Sequence, residues 1–326
     1  MYQAFYGLRE LPFELTPNPK YLYLTPSHRE ALSTLQYGLT APKAVTVLIG
    51  EAGTGKTTLL TTALESDACR HVKCVYLNNP ALTRAEFIEI LAGRFGLTPQ
   101  AAKSKAALLA ELETILHKRR AMGETTALVI DEAQSISLEI LEEIRLLANI
   151  ETPTEKLLPL VLAGQPELAA RLEDPNLRQL KQRVALRCEI RPFDLSETAT
   201  YIMARIRTAG GEPSRLFTRQ AVAVIHEYSR GIPRTVSVMC DNALVTGFAM
   251  GRQPVDRAIL LEVSKDFRLG DPTAESTVEP IAGRTRPEPA TEIRSVPIDS
   301  VRDAAGGEGQ LSALRKRIAA FGTKRR

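Results

Sequence analysis

At 326 residues the chain exceeds one ordinary domain and is long enough to bury substantial cores, so two domains plus an extension are expected. Its composition is that of a soluble globular protein, and a net charge of +4 by itself argues for neither a nucleic-acid nor a membrane partner. Cys69, Cys74, Cys188 and Cys240 lack C-x-x-C spacing and a histidine cluster, which speaks against zinc and for reduced thiols in a cytosolic protein; no leader pattern and no apolar run near the ~18 residues of a membrane span is present.

Residues 1–30 carry Phe5, Tyr6, Pro12, Phe13, Pro17, Pro19, Tyr21, Tyr23 and Pro26 without helical or strand period, an ordered arm too apolar for a solvated tail. Ser27 is the expected N-cap of the helix HREALSTLQYGL. A β-branched strand, 45–50, then stops at Gly50, and Gly50-Glu51-Ala52-Gly53-Thr54-Gly55-Lys56-Thr57-Thr58 follows. This fits the phosphate-binding (Walker A) pattern G-x-x-x-x-G-K-[ST] at every fixed position. Its glycines let successive N–H groups turn inward on phosphate oxygens at the positive end of the next helix. Lys56 would reach the β- and γ-phosphates of ATP, and Thr57 would ligate Mg²⁺. With a nucleotide there, the arm either walls the adenine with flat apolar side chains or merely packs on the following domain.

A second strand is expected at 73–78, and Thr83 with Glu86 forms a capping-box pattern before FIEILAGRFGL. An amphipathic helix follows at 104–120, with Ala107, Leu108, Leu112, Ile115 and Leu116 on one face. The run TTALVIDEAQ, 125–134, reads as a buried parallel strand whose last residues emerge where ligands of α/β folds bind. Asp131 would hold Mg²⁺ and Glu132 would polarise the attacking water, a Walker B pair. The helix expected at 137–150 presents Leu138, Leu141, Ile144, Arg145 and Leu147 for burial.

A fourth strand, 157–164, ends on Gln165, whose amide either orients the water or caps the loop. The segment after it carries Arg178 and Arg183 and leads to a fifth strand, 185–190. From Pro192 helices alone are expected, at 196–209, 218–229, 236–250 and 256–267, with Ser196, Thr218 and Asp256 as caps. Between the second and third of these, Gly231-Ile232-Pro233 aims Arg234 or leaves it exposed after a turn. Residues 271–310 read as a flexible linker. In the last sixteen residues Leu311, Leu314, Ile318 and Phe321 share a helical face beside unopposed basic groups, either an anchoring helix or a frayed basic end.

Phosphate loop, paired carboxylates and helical lid together resemble an AAA+ ATPase. The opening MYQAFYGLRELPFELTPNPKYLYLTPSHREAL, then YLNNPALT, VIDEAQ, LAGQPEL, LKQRV and GIPR, in order over roughly 1–268, resembles the general secretion pathway protein A family. The resemblance implies an α/β P-loop AAA+ fold: a five-stranded parallel sheet with helices on both faces (1–191), a small helical lid (192–270) and a flexible tail (271–326). It implies ATP and Mg²⁺ at subunit interfaces of a homo-oligomer, Gln165 as first sensor, Arg234 as second sensor and Arg183 as the arginine finger for a neighbour's nucleotide. The Gln at 165 departs from the Asn or Thr common in AAA+ proteins at large and is usual in this family. Longer members continue through a membrane-spanning helix into a periplasmic domain that this sequence does not show. The expectation is therefore a cytoplasmic ATPase, free or peripheral to the inner membrane, of the shorter kind associated with exosortase, exopolysaccharide or pilus assembly, with envelope-assembly proteins as partners. The alternative is a DNA-associated ATP switch resembling transposition helpers, against which stands the lack of a base-reading module.

Overall fold

The computed structural model describes residues 2–266 except 17, 42 and 79–81, so the linker and tail expected at 271–326 lie outside the described residues. Five strands, β1 (Val45–Gly50), β2 (Val72–Leu77), β3 (Thr125–Ile130), β4 (Leu160–Gly164) and β5 (Val184–Ile190), form one parallel sheet in the order β2-β3-β4-β1-β5. The expected α/β fold with helices on both faces is the fold observed. β4 starts three residues later than expected. Pro159 has no N–H to give a ladder, and its carbonyl accepts from Leu128 N at 2.9 Å.

The helices, in chain order, are α1 (Gln3–Tyr6), α2 (Pro26–Thr40), α3 (Lys56–Glu65), α4 (Arg84–Phe95), α5 (Pro99–Lys103), α6 (Lys105–Ala121), α7 (Leu138–Leu147), α8 (Pro166–Leu172), α9 (Arg178–Lys181), α10 (Leu195–Thr208), α11 (Pro213–Leu216), α12 (Arg219–Ser229), α13 (Pro233–Ala249) and α14 (Arg257–Asp266). Strand alternation divides them. Val47, Ile49, Leu128, Ile130, Leu160 and Leu162 pack with apolar residues of α4, α6, α7 and α8, whereas Leu48, Val129 and Val161 pack with those of α2 and α3. Near the sheet centre α2 lies so close to β1 that a Cβ on Gly38 would sit 2.2 Å from Thr46 Oγ1, which requires glycine there.

α10 to α14 enclose a separate apolar cluster including Ile202, Ile206, Ile225, Met239, Leu244 and Ile259. Tyr2, Tyr6, Leu8 and Phe13 of the arm complete this lid core, so the first half of the arm packs on the lid and not on the sheet that follows it in sequence. Several local expectations shift by a few residues. Thr25, not Ser27, caps α2, because Pro26 takes the first helical position that suits its fixed φ. Asp194, not Ser196, caps α10 in a reciprocal capping box with Glu197. α13 begins at Pro233, earlier than expected, and Arg234 therefore lies in a helix's first turn. On α7, Leu138 is exposed and Arg145 turns to Glu142, while Ile140, Leu141, Ile144 and Leu147 are buried.

Candidate active site

The phosphate loop leaves β1 at the carboxyl edge of the sheet. Gly53 and Gly55 take φ values of 82° and 98°, backbone that side chains resist, and Gly55 precedes the first turn of α3. Thr54 is buried and its hydroxyl donates to Glu51 O at 2.8 Å, pinning the loop across its own turn. Lys56 is also buried. Its Nζ donates to the carbonyls of Gly50 at 2.8 Å and Glu51 at 3.0 Å. Burial lowers its pKa, against the opposing pull of Glu132, Asp131, Glu51 and Glu167.

Asp131 follows β3 and is fully buried. Its Oδ2 accepts from Thr57 Oγ1 at 2.6 Å and from Tyr76 Oη at 2.8 Å, and its Oδ1 from Glu132 N at 2.9 Å. Loop, β2 and β3 are thus joined at one carboxylate. Glu132 adopts the left-handed region, φ 56°, an uncommon state for a residue with a side chain, at the point where the chain leaves β3. Its Oε2 accepts from Gln134 Nε2 at 2.6 Å, with Gln165 Nε2 at 3.5 Å, the limit of a hydrogen bond.

Lid and loop meet through the backbone. Arg234 N donates to Gly53 O at 3.2 Å, and a Cβ on Gly53 would stand 2.8 Å from Arg234 Cβ. A cavity of ≈ 350 Å³ opens beside the loop; Tyr21, Leu22 and Tyr23 of the arm, Tyr201 and Arg205 of α10, and Glu132 are among its walls. The Arg205 guanidinium lies between the rings of Tyr21 and Tyr201, 5.0 and 5.2 Å from their centroids. Its size and its polar loop at one end suit a nucleotide.

Of the residues singled out from sequence, the structure brings Gly50 to Thr58, Asp131, Glu132, Gln165 and Arg234 to this one region. Arg183 is elsewhere. It precedes β5, whose Val184 pairs with Val45 while Ile190 pairs with Gly50, which places Arg183 at the opposite edge of the sheet, about 16 Å of strand away. Three residues of the site gave no sequence signal. Tyr76 reads as an ordinary strand aromatic. His28 reads as a helix residue, yet its buried ring contacts Thr54 O at 3.1 Å and Thr25 Oγ1 at 2.7 Å, and burial lowers its pKa against the opposing pull of Thr54's carbonyl. Gln134 reads as an ordinary polar residue of the turn two places after the carboxylates. Strand order β2-β3 marks Tyr76 as a neighbour of Asp131; nothing local marks His28.

Residues 40–172 match the family described as AAA domain. Over 255 residues the chain is 38% identical to general secretion pathway protein A of Aeromonas hydrophila, a match covering 78% of this chain and 46% of that one. The chain therefore spans about half the length of that relative. Solved structures of similar fold include Cdc6p of Pyrobaculum aerophilum, with 20% identity, TM-score 0.60 and coverage of 78% of this chain and 70% of that one. Aeropyrum pernix ORC2 in its ADPNP-ADP complexes gives 16%, 0.56, 78% and 71%, and Drosophila ORC bound to DNA gives 19%, 0.58, 78% and 64%. At these identities the likeness is one of fold. The chain thus has the AAA+ P-loop fold, carries an AAA domain over residues 40–172 and is a relative of general secretion pathway protein A.

Proposed function

We propose that the chain is an ATPase that hydrolyses ATP at interfaces between its own copies and couples that cycle to the assembly of envelope secretion, exopolysaccharide or pilus machinery. The observation that carries the enzymatic part is the junction of Thr57, Asp131 and Glu132 at the mouth of the phosphate loop. Thr57 hydroxyl and Asp131 carboxylate are hard oxygen donors already 2.6 Å apart, a donor set suited to Mg²⁺ that keeps waters and phosphate oxygens as its other ligands. Bound there, the ion would neutralise charge on the β- and γ-phosphates. Lys56 would supply a fixed cation to the same phosphates, and Glu132 would take the proton of the attacking water. Gln165, beside Glu132, would sense the γ-phosphate; Arg234 would carry that state to the lid. Arg183 would act on a neighbour's nucleotide, because its own lies across the sheet.

The envelope role rests on the relative's name and is a proposal for this chain. Among the described residues no helix is long and apolar enough to cross a membrane, and the reading places the ATPase in the cytoplasm, with residues 311–326 as its candidate lipid contact. ATP turnover per chain, followed over a dilution series, tests the central claim. Activity that rises with concentration supports a site completed by a second copy, and activity independent of concentration overturns it. Adding duplex DNA across a salt series separates the alternative, since turnover that requires DNA moves the chain to the DNA-associated class.

A further inference from the structure

Gln134 stands between the two residues on which hydrolysis depends in the reading above. Its Nε2 donates to Glu132 Oε2 at 2.6 Å, and its Oε1 accepts from Gln165 N at 3.1 Å. The amide's orientation is dictated by its neighbours, since a carboxylate accepts and a backbone N–H donates. The backbone is held too: Arg171 of α8 donates to Gln134 O at 2.5 Å. The space is tight, for a Cβ on Gly164 would sit 2.9 Å from Gln134 Oε1 and 2.8 Å from Leu168 Cδ2. Glu132 itself has left-handed backbone, so its carboxylate direction depends on what holds the side chain. Both recorded donors, Gln134 and Gln165, fall on Oε2, and among the described residues no hydrogen bond falls on Oε1.

We propose that Gln134 is a positioning residue for hydrolysis: it fixes one oxygen of Glu132, leaves the other for the attacking water, and ties that choice to the start of α8. The link has a direction of use. A movement of Gln165 on nucleotide binding would reach Glu132 through one side chain, and the backbone carbonyl of that same residue, Gln134, accepts from Arg171, on the segment that continues towards Arg183.

The inference rests on the ATPase reading, and the test separates the two. Gln134→Glu keeps the volume and the acceptor for Gln165 N but sets a second carboxylate against Glu132. In the full chain, turnover should fall about 10²-fold while the affinity for ATP, measured by equilibrium titration, stays within about twofold. Gln134→Met, which keeps the length but offers neither donor nor acceptor, should show the same split with a smaller fall, because the Gln165 amide still reaches Glu132. Equal turnover of Gln134→Met and the parent chain overturns the proposal, as does loss of ATP affinity in step with turnover, which marks Gln134 as scaffold. A parent chain that binds ATP without turning it over under any condition overturns the enzymatic reading and takes this inference with it.

Discussion

At the carboxyl edge of the sheet charged groups meet partners supplied by the same chain: Lys56 is held by two loop carbonyls, and Asp131 by Thr57, Tyr76 and the N–H of Glu132. The amino edge is different. Arg183 is partly buried, and its Nε finds no hydrogen-bond partner among the described residues. Nearby Glu151 is paired with Lys156, which together with a weaker pull from Arg183 holds its carboxyl below the usual range. The carboxyl edge has one such atom as well, the Nε of Arg205 beside the cavity, so what separates the edges is the cluster of paired charges around Lys56 and Asp131, which the amino edge does not show among the described residues.

The contrast breaks most completely at Lys56. Lys56→Ala should abolish ATP binding, because the phosphates lose their one buried cation from the loop; a fluorescent ATP analogue titrated to saturation with wild-type affinity would show that the carboxyl edge is not the site. Glu132→Gln keeps the shape and should lower turnover by about 10²- to 10⁴-fold with ATP still bound, read by single-turnover assays. Loss of binding in that variant would make Glu132 a structural residue.

Arg183→Ala joins the two edges in one measurement. It should leave binding intact and reduce turnover by about 10²-fold or more. Mixing it with Lys56→Ala should restore part of the activity, since the second variant still offers its arginine; no rescue at any ratio would mean that the edges of different copies never meet. Tyr76→Phe is a smaller change, removing one of the bonds to Asp131, and should cost about 1–2 kcal/mol in denaturant unfolding with turnover largely kept.

The smallest effect concerns pH. The folded pKa of His28 lies below its ordinary value of 6.5, so the unfolded chain takes up a proton first as pH falls. Its neutral ring therefore costs nothing above about pH 6.5, and below that value stability declines by at most about 1.4 kcal/mol per pH unit until the folded group also protonates. His28→Gln should flatten that part of the Tm-against-pH curve; an unchanged slope would show that His28 is not the group whose protonation weakens the fold there.

Where sequence reading erred, the errors are local. Ser27 and Ser196 are good cap residues, but Thr25 and Asp194 are good ones too, and the choice went to Pro26 at the first helical position in one case and to Glu197 closing a capping box in the other. Leu138 fits a buried period on its helix and is exposed, because burial depends on what stands opposite each turn.

The amino-acid sequence alone determined the phosphate loop, the carboxylates at the end of β3, the alternation of strands and helices and the change to helices after Pro192. Each is set by short-range chemistry: glycines that permit positive φ, a lysine at a helix start, apolar runs that must be buried. The tertiary structure alone decided that Tyr76 and Thr57 share one carboxylate, that His28 braces the loop, that Gln134 sits between Glu132 and Gln165, and that the arm's first aromatics belong to the lid. Those pairings join residues distant in sequence or on different elements. They follow from strand order and helix placement, quantities that no local pattern carries, because the energy that selects them comes from packing the whole chain at once.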